Sequence, residues 1–335
     1  MDFVGSHILS IDQFDRSDIE KIFAVANRME PYALRRKKTR VLEGAILGNM
    51  FFEPSTRTRL SFGAAFNLLG GEVRETTGFA SSALVKGESL YDTARVISGY
   101  SDIISMRHPE SGSVAEFAQA SRVPVINGGD GFNEHPTQAL LDLYTIKREM
   151  AGRGGGIDGL KIAMIGDLKY GRTVHSLGQL LGLYKNVEIY LVSPKELRMP
   201  GYIEERLCEA GHKLVVTENL EEGIHNAQIV YSTRIQEERF TSSEEADLYR
   251  GRFRINQAIY TANCQPNTVI MHPLPRDSRV EANELDGDLD SNPNLAIFRQ
   301  ADNGVLVRMA LFGLILKVDH LMEKYESEIS WFTRK

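Results

Sequence analysis

Short apolar runs alternate with helix-like stretches along the first half of the chain. Three runs are too short for helices and predict buried strands, at 45–52 (AILGNMFF), 102–107 (DIISMR) and 123–127 (VPVIN). Apolar residues at helical spacing predict helices around them, at 56–69, 89–98, 112–120 and 136–150. Strands separated by helices indicate a parallel sheet with helices on both faces.

The alternation resumes after Gly152-Arg153-Gly154-Gly155-Gly156, which is the best candidate for a hinge. Strand-like runs follow at 160–166, 187–192, 213–217, 228–233 and 268–272. Helical spacing recurs at 172–183, 200–211 and 220–227. A last amphipathic helix at about 304–323 is expected to pack on the first domain, whereas the tail from about Glu323 to Lys335 has no predicted place.

The pattern predicts an α/β protein with two doubly wound parallel-sheet domains, joined by a hinge, and a C-terminal helix that returns to the first domain. A length of 335 residues also favours two domains. We expect one domain of residues 1–138 plus 304–335 and a second of residues 139–303. Open α/β sheets bind ligands beyond the carboxyl ends of their strands, so polar residues that follow strands are the candidates for a site.

Composition narrows the class of protein. The 39 basic and 45 acidic residues give a formal net charge of −6, so no overall field attracts nucleic acid or an anionic membrane. Nowhere do about 18 apolar residues follow one another, which argues against a membrane span. Cys208 and Cys264 form no CxxC pair, which argues against a disulfide framework or a cysteine-rich zinc site. The N-terminus has no secretory pattern, so a cytoplasmic protein is expected.

The segment 53–60 combines a strand end, a helix start and several groups that bind anions. Ser55 is a natural N-cap, and the first amides of the following helix have no partner within it. These amides, the positive end of the helix dipole and the guanidinium groups of Arg57 and Arg59 all attract an anion. A well-capped helix with solvated arginines is the alternative, but the strand–turn–helix context favours a phosphate site.

Ser55-Thr56-Arg57-Thr58-Arg59 after a strand resembles the carbamoyl-phosphate motif of the aspartate and ornithine carbamoyltransferase family. The resemblance covers nearly the whole chain, and it implies that Ser55, Thr56, Arg57 and Thr58 hold carbamoyl phosphate. It also implies a homotrimer with shared active sites, in which Ser82 and Lys86 reach the site of a neighbouring subunit. From spacing alone, an exposed lysine on a mobile loop is the default interpretation of Lys86.

Two further candidates follow predicted strands. Arg107 ends DIISMR, and His135-Pro136-Thr137-Gln138 opens a helix after VPVIN. A histidine there is more often a structural hydrogen-bond partner. Together with Arg107 and Thr58, however, it could polarise a carbonyl oxygen, on which negative charge builds during carbamoyl transfer. The segment is similar to the family's HPxQ motif, which implies that His135 acts on the carbonyl and Gln138 holds the carbamoyl NH2 group.

Arginines also follow strands in the predicted second domain. Arg172 begins a helix after LKIAMIG, while Arg234 and Gln236 follow QIVYST. The guanidinium groups suit the carboxylates of a substrate, although a surface arginine is the alternative for Arg234. Glu237, Glu238 and Arg239 are expected to form a solvated charge cluster.

A dinucleotide site must be considered where a strand leads through glycine into a helix. Gly166 and Gly171 lie five residues apart with bulky residues between them, so the G-x-G-x-x-G pattern is absent and this interpretation is weak.

His272-Pro273-Leu274-Pro275-Arg276 is the last candidate segment. Its two prolines fix the backbone, and the resemblance implies that the carbonyls of Pro273 and Leu274 accept hydrogens of the attacking amine. Ornithine members of the family resemble His-Cys-Leu-Pro here and carry a Ser-Met-Gly segment for the ammonium group of ornithine. This chain has Arg234-x-Gln236 instead, and two basic groups suit a dicarboxylate, so aspartate is the expected acceptor.

The implied function is transfer of the carbamoyl group of carbamoyl phosphate to the amino group of L-aspartate, an early step of de novo pyrimidine biosynthesis. No cofactor or metal is expected. The implied catalytic residues are Arg57, Thr58, Lys86, Arg107 and His135. The residues implied to bind carbamoyl phosphate are Ser55, Thr56, Arg57, Thr58, Ser82, Arg107, His135, Gln138, Pro273 and Leu274, and those implied to bind aspartate are Lys86, Arg172, Arg234 and Gln236.

Three alternatives stay open: a transferase for a related amino acid, a nucleotide-dependent oxidoreductase and a catalytically silent scaffold. The sequence also leaves open whether a regulatory chain binds.

Overall fold

The computed structural model describes residues 1–77, 87–131, 133–237, 240 and 247–331. The chain forms two compact units. The first unit contains Met1–Leu140 and Asp302–Lys335, and the second contains Leu141–Ala301. The domain boundaries expected at 138/139 and 303/304 stay predictions of the limits of two independently folding domains.

The first unit is built on a parallel sheet. The first five strands of the unit, of which all but the first form this sheet, are β1 (Lys37–Thr39), β2 (Ile46–Phe51), β3 (Glu72–Thr77), β4 (Ile103–His108) and β5 (Val125–Asp130). Its helices are α1 (Arg16–Ala33), α2 (Thr56–Leu68), α3 (Leu90–Ile97), α4 (Ser113–Ala120) and the start of α5 (Pro136–Ala151). The sheet order is β3-β2-β4-β5, and each neighbouring pair is parallel. Parallel strands covered by helices on both faces were expected from the alternating pattern, and this part of the prediction is confirmed.

The second unit repeats this plan with different strands. They are β6 (Lys161–Ile165), β7 (Glu188–Val192), β8 (Lys213–Thr217), β9 (Ile229–Ser232) and β10 (Val269–Met271). Its helices are α6 (Arg172–Leu181), α7 (Gly201–Glu209), α8 (Leu220–His225), α9 (Gln257–Asn263) and the start of α10 (Ile297–Ile315). The order is β10-β9-β6-β7-β8, again with parallel neighbours. The predicted fold class is therefore confirmed in both units.

Both crossings between the units occur inside helices. The first boundary lies at Leu140/Leu141 within α5, and the second at Ala301/Asp302 within α10. The glycine run 152–156 lies wholly in the second unit, so its interpretation as the hinge is wrong. Arg153 anchors the run, because its guanidinium group donates to the Asn294 side chain at 2.8 Å and to the Asn267 carbonyl at 3.2 Å.

The C-terminal helix α10 begins and ends earlier than the predicted 304–323. It ends in a Schellman motif, in which the N–H of Val318 donates to the carbonyl of Gly313 at 2.8 Å. Lys317 adopts a φ of 57° at this turn, a left-handed conformation in which glycine is the usual residue. The apolar pattern continues past the turn, which explains why the helix end was misplaced.

The tail that follows α10 has a place in the first unit. Its strand β11 (Glu326–Glu328) pairs with β1 in antiparallel orientation. The carboxylate of Glu326 accepts hydrogen bonds from Lys37 at 2.6 Å and from the Tyr32 hydroxyl at 2.9 Å. Within the described residues, no helix combines the length and the apolar character that crossing a membrane requires.

Candidate functional site

The carboxyl edge of the first sheet carries the predicted donor-site residues. The chain leaves β2 toward β3 on one side and later returns to place β4 on the other side of β2. This arrangement creates a topological switch point between β2 and β4, where open α/β sheets bind ligands. Ser55 lies just after β2, Arg107 lies at the end of β4, and His135 follows the neighbouring strand β5.

The segment Ser55–Thr58 forms the N-terminus of α2, as predicted. Ser55 is the N-cap residue, yet among the residues that the structure describes its hydroxyl makes no capping hydrogen bond. That hydroxyl and the amides of the first turn are suited to an anionic ligand. The second arginine of the motif has another partner, because Arg59 lies 2.5 Å from the carboxylate of Glu75.

Asn49 fixes the start of α2 against the sheet. Its amide nitrogen donates to Glu75 at 2.7 Å and to the Arg59 carbonyl at 3.1 Å, and its amide oxygen accepts from Ser105 at 2.6 Å. Asn49 is fully buried in β2, where an unsatisfied amide would cost free energy. The network therefore holds the segment Ser55–Thr58, the predicted phosphate segment, at a defined position beside β4.

Arg107 is buried, with 8% of its surface exposed. Its guanidinium group lies 2.7 Å from the Glu53 carboxylate and donates to the Gly128 carbonyl at 3.3 Å. Gly129, at a φ of 125°, leaves room for this group, because a Cβ there would lie 2.6 Å from Nη1. The cation is thus held at the switch point by the strand, by a carboxylate and by a glycine turn.

The turn His135-Pro136-Thr137-Gln138 begins α5 from a firmly held position. His135 is 4% exposed, and its carbonyl accepts from the amide of Gln138 at 2.9 Å. The preceding Glu134 accepts hydrogen bonds from the Ser10 hydroxyl at 2.6 Å and the Ile11 amide at 2.7 Å. The N-terminal segment therefore anchors the turn, a role that its sequence did not indicate.

Arg308 of α10 is a site-supporting residue that sequence reasoning missed. It is buried and donates to the Ser61 hydroxyl of α2 at 2.8 Å and to the Thr137 hydroxyl of α5 at 3.2 Å. Its guanidinium carbon lies 4.7 Å from the centre of the Phe62 ring, a cation–π distance. One arginine thus connects the phosphate segment and the His135 turn; its only sequence signal was a charge inside an apolar helix.

The second sheet has its own switch point, between β6 and β9. Gly166 follows β6 at a φ of 110°, and a Cβ there would lie 2.3 Å from the carbonyl oxygen of Thr233, so only glycine permits this close approach. Arg172 is the first residue of α6, and Arg234 follows β9. The structure therefore brings these two arginines to the carboxyl edge of the same sheet, as predicted.

Asp167 connects the loops that follow β6 and β9. It is fully buried and accepts hydrogen bonds from the amides of Tyr170 at 2.9 Å and Gln236 at 3.2 Å. The side-chain amide of Gln236 donates to the Tyr170 carbonyl at 2.7 Å. Gln236 therefore already holds one loop against the other, and its contact with a substrate stays a prediction.

Glu237 is not the solvated residue that was expected. Its carboxylate accepts two hydrogen bonds from Arg250, at 2.7 and 2.8 Å, and one from Arg279 at 2.6 Å. The bonds from Arg250, and then those from Arg279, lower the pKa of Glu237 to about 2. Arg279 also lies 2.5 Å from the Asp277 carboxylate. This ion cluster supports the arm that carries Gln236; Glu238 and Arg239 lie outside the described residues.

The turn His272–Pro275 directly follows β10. Leu274 adopts a φ of 58°, which L residues rarely adopt. Its amide donates to the Nδ1 atom of His272 at 2.8 Å. The turn thus presents Pro273 and Leu274, both half-buried, at the edge where Arg234 also lies.

Two predicted residues, Ser82 and Lys86, lie outside the described residues, so their roles stay predictions. Within the described part of the chain, no group of three or more His, Cys, Asp or Glu side chains is placed to hold a metal ion.

Comparison with known proteins identifies both units. Residues 6–148 match the family model described as aspartate/ornithine carbamoyltransferase, carbamoyl-P binding domain. Residues 158–315 match the one described as aspartate/ornithine carbamoyltransferase, Asp/Orn binding domain. The chain is 74% identical over 333 residues to the aspartate carbamoyltransferase catalytic subunit of Cellvibrio japonicus, covering 99% of this chain and 98% of that one.

Solved structures agree with this result. The catalytic subunit of M. jannaschii aspartate transcarbamoylase is 45% identical with a TM-score of 0.84, and the match covers 95% of this chain and 99% of that one. Trypanosoma cruzi aspartate transcarbamoylase in complex with carbamoyl phosphate and aspartate is 37% identical with a TM-score of 0.85, over 94% and 98% of the two chains. The chain therefore belongs to the aspartate/ornithine carbamoyltransferase family.

Proposed function

We propose that the chain transfers the carbamoyl group of carbamoyl phosphate to the amino group of L-aspartate, giving N-carbamoyl-L-aspartate and phosphate in pyrimidine biosynthesis. The observation that carries the proposal is the pair of switch points. Arg107 lies at one beside the N-terminus of α2, and Arg172 and Arg234 lie at the other. Relatives and solved structures named for this activity support it over the length of the chain.

The first unit supplies the groups that bind and activate the donor. Ser55, Thr56, Arg57 and Thr58, with Ser82 and Lys86 of a neighbouring subunit, hold the phosphate. Arg107, His135 and Thr58 stabilise the oxygen of the carbamoyl group, where negative charge develops during attack. The burial of Arg107 supports this role, because a cation in a poorly solvated place acts more strongly on developing charge.

The second unit supplies the groups that bind the acceptor. Arg172 and Arg234 are suited to the two carboxylates of aspartate. Pro273 and Leu274 provide backbone carbonyls for the hydrogens of the amine. The amine nitrogen forms a bond to the carbonyl carbon, the bond from that carbon to the phosphate oxygen breaks, and the departing phosphate takes the proton. Positioning and fixed charge account for the rate without a covalent intermediate on the enzyme.

The proposed function is tested by identifying the product of the reaction. Purified protein supplied with carbamoyl phosphate should form carbamoyl-aspartate from aspartate and no citrulline from ornithine, in a colorimetric assay that detects both. Citrulline as the main product would replace this proposal with ornithine transfer, and neither product would end it.

Arg234→Ala should raise the KM for aspartate far more than the KM for carbamoyl phosphate, because Arg234 is assigned to a carboxylate of the acceptor. The matched control is Arg252→Ala, which removes an arginine of the same unit whose side chain is 43% exposed and pairs with Glu218. Steady-state kinetics with each substrate varied in turn distinguishes them. Equal effects of Arg234→Ala on both KM values would contradict the assignment.

We also propose a cytoplasmic homotrimer with shared active sites. The family resemblance of the Ser82–Lys86 loop supports the shared sites. The relatives are named catalytic subunits, which supports a larger assembly with a regulatory chain. Sedimentation of the purified chain, and of the protein isolated from its host, measures both, and a monomer that retains full activity would contradict the shared site.

A further inference from the structure

His272 is a buried histidine with contacts on both ring nitrogens. It is 1% exposed and directly follows β10. Its Nδ1 atom accepts the hydrogen bond from the Leu274 amide at 2.8 Å. A nitrogen that accepts cannot also carry the proton, so in the neutral ring the proton lies on Nε2.

The Nε2 atom of His272 lies 2.7 Å from Oε1 of Glu284. Glu284 is also buried, at 6% exposed. Its carboxylate accepts from the amide of Asp277, with distances of 3.2 and 3.3 Å to its two oxygens. His272 and Glu284 therefore lie in contact, while each accepts a hydrogen bond from a different backbone amide. One histidine and one glutamate thus hold the backbone at two points of the turn, Leu274 and Asp277.

The turn needs such support, because Leu274 has a positive φ that its side chain disfavours. The backbone of His272, the first residue of the turn, is held as well. The amide of His272 donates to the Gln300 side chain at 2.9 Å, and the amide nitrogen of Gln300 donates to the buried Asp142 at 2.6 Å. The hydrogen bonds that define the direction of the Pro273 and Leu274 carbonyls therefore come from buried side chains rather than from the sheet.

We propose that the buried His272 and Glu284 are positioning residues for the acceptor amine, because the hydrogen bonds that they accept from the amides of Leu274 and Asp277 fix the direction in which the carbonyls of Pro273 and Leu274 point. The inference rests on the proposed function, which assigns those carbonyls to the amine. Neither His272 nor Glu284 touches substrate; both act through the backbone of the turn. A displacement of about 1 Å at such a place can reduce turnover by about 100-fold.

Two substitutions of His272 separate the contacts of its two nitrogens. In His272→Asn, the amide oxygen lies where Nδ1 lies, so the acceptor for the Leu274 amide is kept and the Glu284 contact is lost. In His272→Gln, the amide lies where Nε2 lies, so the Glu284 contact is kept and the acceptor is lost. We expect His272→Gln to lower kcat by about 10-fold or more relative to His272→Asn. The thermal unfolding temperatures of the two variants should be similar.

His212 is the matched control. It is a buried histidine of the same unit, with Nδ1 accepting from the Val187 amide at 3.2 Å and Nε2 lying 3.0 Å from the Leu181 carbonyl. It lies at the amino end of β8, opposite to the edge that carries the site. His212→Asn and His212→Gln should therefore have equal kcat values, whatever they do to the unfolding temperature.

A second pair of variants tests Glu284. Glu284→Gln keeps an oxygen acceptor for the Asp277 amide and should retain kcat within about 3-fold, whereas Glu284→Met removes it and should lose about 10-fold or more. Equal kcat values for His272→Asn and His272→Gln, or losses that only follow the unfolding temperature, would overturn the inference. Absence of carbamoyl-aspartate formation by the unsubstituted protein would instead refute the proposed function, so the two failures are distinguishable.

Discussion

Arg107 shows how the surroundings of a residue can prepare it for a proposed catalytic role. It is buried beside Glu53, so its charge is balanced before a substrate arrives. A substrate that places negative charge near Arg107 enters a field that is already arranged, which lowers the cost of reorganisation during the reaction. If Arg107 has the proposed role, its removal should affect both the fold and the chemistry.

Arg107→Ala should lower kcat by about 100-fold or more, because it removes a donor to the developing oxyanion. Arg59→Ala is the control, since Arg59 belongs to the neighbouring motif but pairs with Glu75. Steady-state kinetics should find kcat of the control within a few-fold of the unsubstituted protein. Similar losses in the two variants would mean that the effect is structural.

Glu237 contributes stability that depends on pH. Its folded pKa of about 2 lies below its ordinary value of 4.5. A depressed carboxyl pKa stabilises the fold above the unfolded value, and this stability is lost as the pH falls from about 4.5 through about 2. Glu237→Gln should therefore lower the unfolding temperature at pH 7, and the difference from the unsubstituted protein should shrink across that acidic window.

The measurement is thermal unfolding of Glu237→Gln at a series of pH values, together with the KM for aspartate at pH 7. That KM should rise, because Glu237 adjoins Gln236. Glu72→Gln is the control, since Glu72 is 58% exposed and pairs with Arg74 on the surface, where ion pairs contribute little. A temperature difference that stays constant from pH 7 to pH 2 would contradict the account.

At the scale of elements, α10 connects parts of the first unit that are far apart in sequence. Arg308 bonds to α2 and to the start of α5, while Phe312 packs against Phe66 with ring centres 5.0 Å apart. The last helix of the chain therefore determines where the phosphate segment and the His135 turn lie. Its contribution to the site is indirect and comes from packing.

Arg308→Met should lower the free energy of unfolding by about 3 kcal/mol, because hydrogen bonds of a buried charged group to two hydroxyls are lost. Arg299→Met, on the same helix but 47% exposed and paired with Glu149, should cost less than about 1 kcal/mol. Denaturant unfolding of both variants gives the comparison. If the two changes are equal, Arg308 does not hold the elements together.

Elements were predictable where an apolar run or a helix-capping residue marks them. The strand 213–217 has the predicted limits, and α2 starts where Ser55 was expected to begin it. By contrast, β3 is a polar edge strand, and β1 and β11 are short strands of polar residues, so no apolar pattern could identify them. Helices α1 and α9 were not assigned. The end of α10 was predicted too late because a lysine, rather than the usual glycine, occupies the left-handed turn position after the helix.

The positions of the candidate residues were predictable where these residues follow strands, and less so for the residues that support them from elsewhere in the chain. Arg107, Arg172 and Arg234 all lie at carboxyl edges, as topology requires. The supports of the site pair distant positions: Arg308 with Ser61, Glu134 with Ser10, and His272 with Glu284. Such pairs depend on how the chain folds back on itself, and a single sequence carries no local signal for them.

At the scale of the whole molecule, the proposed sharing of active sites between the chains of a trimer can be tested by mixing two inactive variants. Lys86→Ala and His135→Ala should each be inactive. The first substitution removes a group that acts in the site of a neighbouring subunit, and the second removes a group that acts in the site of its own subunit. Hybrid trimers of the two should regain activity, with about a quarter of the sites whole after random assembly. The assay is carbamoyl-aspartate formation after joint refolding.

The control is each variant refolded by itself, which should stay inactive. A hybrid that gains nothing would mean that Lys86 and His135 act within one chain.

The placement of candidate ligands beyond the ends of strands has a consequence for how new specificities arise. The loop after β9 carries Arg234 and Gln236, which are assigned to the acceptor, while the strand itself is buried and needs only to pack. Under the proposed function, replacing that loop would change which amino acid is carbamoylated and leave the segment Ser55–Thr58 untouched. A family named for both aspartate and ornithine is the outcome expected when the residues that bind the acceptor can change while those that bind the donor stay the same.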